Sequence, residues 1–377
     1  MTVLFKKARK LDARGQVDDF WMLVDGDTIV STGTGEAPPA ENTVDVGGSW
    51  LVPGFIDLHA HGAGGHSYED GPVEILAGVA THHAHGTTRS LISLVANPLA
   101  ALQASLSGIA DLCDANPLIL GAHLEGPYLA ANRRGAHNLD YLREPQPAEI
   151  EELLDAARGT LRQITIAPEL PNALDSIDVL IEAGVVVAVG HTEADFEQAK
   201  HAFDRGARLL THVYNAMPGI HHRAPGPIIA AFEDERVMIE LILDGLHVHP
   251  DVAALAFRSA PGRIALVTDA MAAAGSVDGE YSLGSLNVAV RDGLAMLRGT
   301  TTIAGSTLTQ DAALRCAIER TGVSPADAVA ALTLAPAKIL GIEHRHGLLA
   351  AGFVADAVTL DSSLHVENVW ANGAPIA

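Results

Sequence analysis

The chain has 377 residues, of which 46 are acidic and 24 basic, for a formal net charge of −22 with histidine neutral. That balance argues against a broad nucleic-acid surface, which needs clustered Lys and Arg, but it allows a locally positive pocket. Apolar residues make up 48%, yet no run approaches the roughly 18 residues of a membrane span; two cysteines, Cys113 and Cys316, against eighteen histidines form no disulfide framework and fit a reducing compartment.

The opening MTVLFKKARKLDARG lacks the apolar core of a secretory signal, so a cytoplasmic protein is expected. Residues 1 to about 50 read as short strands with Gly and Pro turns, VDGDTIV being a strand pair around a polar turn. From 51 to about 335, apolar β-rich runs alternate with Ala-rich stretches of helical spacing. The runs are LVPGFIDLH, TTRSLISLV, PLILGAHLE, RQITIAPE, GVVVAVGH, ARLLTHV, RVMIELILD and RIALVTD. Near-continuous apolar strands separated by helices indicate a parallel sheet buried on both faces, and eight such units close naturally into a (β/α)8 barrel. Residues 282–299 read as a hairpin inserted after the eighth strand, and 355–373 return to short strands. The expected architecture is a TIM-like (β/α)8 barrel over 51–339 with a small β-sandwich domain built from both chain ends, 1–50 and 340–377.

Five of the eight strands end in a potential ligand or acid. The first ends in His59 and His61, the third in Glu125, the fifth in His191, the sixth in His212 and the eighth in Asp269. Barrel active sites lie at these C-terminal ends, so the six side chains converge on one mouth. His59 and His61 are two apart on an extended segment and point the same way. An isolated HxH arises by chance, and an isolated Asp269 would be read as a helix cap; their company favours a divalent metal site. A metal there generates hydroxide near neutral pH and polarises a carbonyl, and a carboxylate beside it moves the proton. No GxSxG elbow is present, and Cys113 and Cys316 read as packing residues, so hydrolysis without a covalent intermediate is expected. Among the remaining histidines, His82, His83, His85, His344 and His346 read as surface residues and His123 as structural. Loop 128–136, with two Arg and a Gly, reads either as a lid or as an exposed turn.

These residues sit in motifs that resemble the amidohydrolase superfamily: PGFIDLHAHG (53–62) is the general cue. HLEGPYL (123–129), RRGAHN (133–138), VGHTEA (189–194), THVYNAMPG (211–219), HHRAPG (221–226), DGLHVHP (244–250), LVTDAMAAAG (266–275) and AGSTLT (304–309) narrow the resemblance to the N-acetylglucosamine-6-phosphate deacetylase family. The resemblance implies hydrolysis of N-acetylglucosamine 6-phosphate to glucosamine 6-phosphate and acetate, in amino-sugar catabolism. It implies that Glu125, His191 and His212 hold the essential metal, while His59 and His61 add a second, giving one or two divalent ions per subunit. Zinc is expected, with iron, manganese, cobalt or cadmium as alternatives. It implies Asp269 as general base and acid, His137 beside the acetamide carbonyl, Asn215 and Ala216 as backbone donors near the phosphate, and His247 and Arg223 as phosphate-side groups. Arg223 is expected to reach the neighbouring site of a homodimer. Two other readings are a cyclic-amide hydrolase, disfavoured because no Lys stands at the third or fourth strand end, and an inactive homologue, disfavoured because every ligand type is present.

Overall fold

A computed structural model describes residues 2–377. Five N-terminal strands come first: β1 (Thr2–Asp12), β2 (Gly15–Asp25), β3 (Thr28–Thr34), β4 (Asn42–Asp45) and β5 (Trp50–Pro53). In β2 the side chains of Phe20, Met22 and Val24 alternate inward, the period of a strand with one buried face.

The barrel begins with β6 (Phe55–Asp57), followed by a small hairpin of β7 (Gly62–Ala63) and β8 (His66–Ser67) and by helix α1 (Pro72–His83). The repeat continues through β9 (Thr87–Leu94), α2 (Leu99–Ala115), β10 (Ile119–Glu125), α3 (Pro147–Ala157), β11 (Leu161–Ile166), α4 (Ala173–Glu182) and β12 (Val186–Val189). Next come α5 (Phe196–Arg205), β13 (Leu209–Leu210), α6 (Gly226–Glu233), β14 (Met238–Ile242), α7 (Pro250–Ser259) and β15 (Ile264–Val267). The strands from β6 through β9 to β15 pair in sequence order, all parallel. Side chains fill the inside and helices cover the outside, which is why every residue of β9 is buried. Helix α5 illustrates the local logic: Asp195 and Gln198 form a capping box, Gly206 ends the helix in the left-handed region, and Ala199, Ala202 and Phe203 face the core.

The first and last strands meet through a parallel bridge between Ala60 and Ala270. Asp269 N donates to the His59 carbonyl at 2.8 Å and His61 N to the Ala270 carbonyl at 2.7 Å. The buried Asp57 carboxylate accepts from Thr268 Oγ1 at 2.7 Å and from the Thr268 amide at 3.3 Å. The junction that closes the barrel therefore also carries three of the six candidate residues.

After the barrel strands, β16 (Gly279–Leu283), β17 (Leu286–Arg291) and β18 (Leu294–Leu297) form a three-stranded antiparallel meander where the sequence suggested a hairpin. Helices α8 (Gln310–Thr321), α9 (Pro325–Leu332) and α10 (Leu334–Ile339) precede β19 (Ala357–Leu360), β20 (Val366–Ala371) and β21 (Ala374–Pro375). These last strands join β1–β5 in one eight-stranded sheet, and β5 pairs with both β1 and β19. The end-derived sheet thus runs to Pro53 rather than stopping at residue 50. Arg89, buried in β9, donates to both Asp356 oxygens at 2.7 and 3.1 Å and ties this sheet to the barrel. No helix among the described residues is long and apolar enough to cross a membrane.

One expectation about histidine is corrected here. His82 is 1% exposed, and its Nε2 lies 3.1 Å from the Gly62 carbonyl, because α1 packs that face against the β7–β8 hairpin. His83 and His85 are half-buried, bonded to the Thr87 carbonyl and to Asp311.

Candidate metal and active site

His59, His61, Glu125, His191, His212 and Asp269 all lie at the C-terminal end of the barrel, and each is less than a tenth exposed. Three of them have positive φ: His191 at 46°, His212 at 25° and Asp269 at 49°. Left-handed backbone is uncommon for residues other than glycine and is held only where the surroundings over-determine it. At Asp269 the pins are visible. Its amide donates to His59, its carbonyl accepts from Ser306 N at 2.7 Å, and Gly305 leaves room, since a Cβ there would lie 2.9 Å from the Asp269 carbonyl oxygen.

Glu125 is the hub. Its Oε1 is 2.9 Å from His191 Nε2, 3.1 Å from His212 Nε2 and 3.4 Å from His59 Nε2. Its Oε2 is 3.3 Å from His61 Nε2 and 3.2 Å from His137 Nε2. Asp269 Oδ1 is 3.4 Å from Nε2 of both His59 and His61. Two donor groups result, His59–His61–Glu125–Asp269 and Glu125–His191–His212, and they share Glu125.

The hydrogen-bond partners assign the tautomers. His191 Nδ1 lies 2.7 Å from the Arg133 carbonyl, so Nδ1 carries the proton and Nε2 presents a lone pair. His59 Nδ1 lies 3.2 Å from Glu240 Oε2, with the same consequence. Lone pairs of these nitrogens then face carboxylate oxygens, and His191 Nε2 stands 3.0 Å from His212 Nε2. Such a cluster is repulsive without a cation at its centre. Imidazole nitrogens and carboxylate oxygens backed by outer hydrogen bonds fit a divalent metal.

The electrostatics agree. Burial alone would push His59 and His61 down, but Glu125 and Asp269 outweigh it, raising His59 well above its ordinary value and His61 to about 9. Burial would push Glu125 and Asp269 up, but the surrounding imidazoles, His59 foremost, hold both below the usual carboxylate range. The pocket is thus set to hold positive charge, for which a divalent ion and protons compete. His137 differs: burial outweighs the pull of Glu125 and lowers it to about 4. Its Nδ1 accepts from Ala96 N at 3.2 Å, so the neutral ring carries its proton on Nε2, aimed at the centre.

A cavity of about 560 Å³ opens over these groups, lined also by Arg133, Arg134, Asn215, Ala216, His247 and Ile303. Ala216 has φ of 51°. Burial opposes protonation of His247, but Asp244, 2.7 Å from its Nδ1, outweighs that and raises it. Arg223 is exposed, beside His222 at 2.8 Å, and does not line the cavity of its own chain. Loop 128–136 supplies Arg133 and Arg134 to the rim. At the fourth strand end, Glu169 turns away to Thr192 and the Glu193 amide.

Sequence reasoning passed over Glu240, which is fully buried within β14 and touches His59. The signal was an acid inside an otherwise apolar run, MIELI. His123 lies in the core beneath the site, 3.0 Å from Ser93 Oγ and 2.9 Å from Thr165 Oγ1, and burial lowers it well below its ordinary value.

Residues 50–376 match the amidohydrolase family. The N-acetylgalactosamine-6-phosphate deacetylase of Escherichia coli O157:H7 is 38% identical, over 99% of each chain. The N-acetylglucosamine-6-phosphate deacetylase of Vibrio furnissii is 34% identical, over 98% of this chain and 94% of its own. Among solved structures, an aspartate-to-alanine variant of N-acetyl-D-glucosamine-6-phosphate deacetylase from Mycobacterium smegmatis, in complex with N-acetyl-D-glucosamine-6-phosphate, is 41% identical. It superposes with a TM-score of 0.95 over 100% of this chain and 99% of its own.

Proposed function

The chain belongs to the amidohydrolase family, and within it we propose that it hydrolyses N-acetylglucosamine 6-phosphate to glucosamine 6-phosphate and acetate in amino-sugar catabolism. The observation that carries the reading is the convergence of six buried donor groups under a cavity whose wall offers a neutral His137 as hydrogen-bond donor. Glu125, His191 and His212 would hold one divalent ion; His59 and His61, with Glu125 and Asp269, would hold a second. Zinc suits this donor set, and iron, manganese, cobalt and cadmium accept the same ligands. A divalent ion there would supply water acidity near neutral pH and polarise the acetamide oxygen.

The chain's own residues do the rest. Asp269 takes a proton from the attacking water as its oxygen bonds to the acyl carbon. The C–N bond breaks, and Asp269 returns that proton to the departing amine. His137 Nε2–H donates to the acetamide oxygen as charge grows on it. In the lining of the same cavity, His247, which Asp244 shifts toward its charged form, and the backbone near Asn215 and Ala216 receive the phosphate. An Arg223 from a second copy completes the site in a homodimer. Exposed Ile220, Leu246, Val252 and Leu255, on the same loops and on α7, support an apolar contact there. The β unit built from both chain ends, up to Pro53 and from 340 onward, flanks the catalytic barrel between them. The cytoplasm is the assigned compartment, since it keeps the free thiols of Cys113 and Cys316 reduced.

The test is acetate release by the zinc-loaded protein from the glucosamine and galactosamine epimers of the N-acetylated 6-phosphate, run side by side. The reading expects the higher kcat/KM for the gluco epimer. A preference for the galacto epimer would transfer the substrate to that of the Escherichia coli relative, and no acetate from either would overturn the deacetylase assignment.

A further inference from the structure

Glu240 has no exposed surface and belongs to neither donor group. It sits in β14, one layer below the mouth. Three donors point at its carboxylate. His59 Nδ1 lies 3.2 Å from Oε2, the His212 amide 3.3 Å from the same oxygen, and Gln163 Nε2 2.7 Å from Oε1. A buried carboxylate so held is an obligate acceptor. It therefore keeps the His59 proton on Nδ1 and leaves Nε2 as a lone pair toward Glu125, His61 and Asp269. It also fixes the ring plane and adds electron density to the imidazole. Of the four candidate ligand histidines, His59 is the one whose Nδ1 is backed by a carboxylate. His191 is backed by a carbonyl, while His61 and His212 have no hydrogen-bond partner at Nδ1 among the described residues.

We infer that Glu240 is a positioning residue that decides whether the His59–His61 site takes a metal ion, acting through the tautomer and orientation of His59. The inference rests on the metal reading above. A glutamine at 240 has one acceptor oxygen for three donors. Either its amide nitrogen faces His59 Nδ1, which moves the ring proton onto Nε2 and blocks ligation, or Gln163 must rotate and His59 keeps only a neutral acceptor. Both outcomes weaken the His59 site, and neither touches the side chains of Glu125, His191 or His212.

The experiment equilibrates the full-length protein with zinc buffered over a range of free concentrations and counts bound zinc per chain. The parent is expected to show two half-saturation points. In Glu240→Gln, one should move to about 10–100-fold higher free zinc, the usual cost of losing an outer partner, while the other stays within about threefold. His59→Ala should abolish the same step, and adding Glu240→Gln to His59→Ala should change nothing further. Gln163→Ala, which leaves the carboxylate but removes one of its donors, should shift that step in the same direction by less, and it serves if Glu240→Gln does not fold. Unshifted steps in these variants, steps that move together, or a parent saturating at one equivalent would each overturn the inference. A parent that binds no zinc would instead overturn the metal reading beneath it.

Discussion

His137 and Glu125 lie against each other in the cavity lining, with His137 Nε2 3.2 Å from Glu125 Oε2. The proton lies on Nε2 because Nδ1 accepts from Ala96 N, and the ring is neutral down to about pH 4 because it is buried. A neutral donor already aimed at the reacting centre needs little reorganisation when a carbonyl oxygen arrives. His137→Ala should lower kcat by about 10²–10³-fold, the range for one such donor, with KM changed much less. Steady-state kinetics decide it; a loss confined to KM would remove His137 from charge stabilisation.

Asp269 lies 3.4 Å from both His59 and His61, with its backbone pinned to His59 and Ser306. Asp269→Asn keeps the shape and removes the proton acceptor. Turnover should fall by at least about 10²–10⁴-fold while substrate still binds. Calorimetric binding beside single-turnover rates measures both, and turnover within a few-fold of the parent refutes the role.

Glu125 is common to both donor groups, so its loss should strip both, whereas His191→Ala should empty only the one it shares with His212. Both variants are expected to lose activity to background, and chelation of the parent should do the same, with recovery on adding zinc. Metal content by mass spectrometry, read beside activity, makes the comparison. Full activity in a zinc-free His191→Ala preparation is the result that contradicts it.

Arg223 is exposed and does not line its own cavity, so a role in phosphate binding calls for a second copy. Guanidinium binds phosphate by paired hydrogen bonds. Arg223→Ala should therefore weaken the phosphorylated substrate while scarcely altering weak activity on unphosphorylated N-acetylglucosamine. At phosphorylated substrate too dilute for Arg223→Ala chains to turn over, mixing them with Asp269→Asn chains should restore partial activity, because one site of the hybrid keeps both residues. No recovery after confirmed subunit exchange refutes the shared site.

His82 gives a stability test independent of catalysis. Burial lowers it from 6.5 to about 4. The unfolded chain therefore takes up the proton first as pH falls. The stability contributed by the neutral ring is present above about pH 6.5 and lost as pH falls to about 4, a change of roughly 3 kcal/mol across that window. His82→Gln keeps a donor for the Gly62 carbonyl and does not titrate, so its denaturation midpoint should fall less steeply over the same range. Parallel curves for the two proteins would exclude His82 as a source of acid lability.

Much of the architecture was legible in the sequence because it rests on local pattern. Runs such as TTRSLISLV, separated by helical stretches, indicate strands of a parallel sheet buried on both faces, and eight of them fill one barrel. Polar residues that end those runs, such as His191 after VVAVG and Asp269 after IALVT, had to emerge at one rim. The sequence also carried the paired direction of His59 and His61, since strands have a period of two. What depends on approach between distant segments was decided only in three dimensions. Glu240 meets His59 across 181 positions; along the chain it is one acid in an apolar strand. His82 looked exposed because helical spacing does not say which face the β7–β8 hairpin covers. The proton positions on His59, His137 and His191 came from the partners of their outer nitrogens: Glu240, Ala96 and Arg133. An imidazole's tautomer is set by the group beside it, and that neighbour is a property of the fold rather than of the run of residues around the histidine.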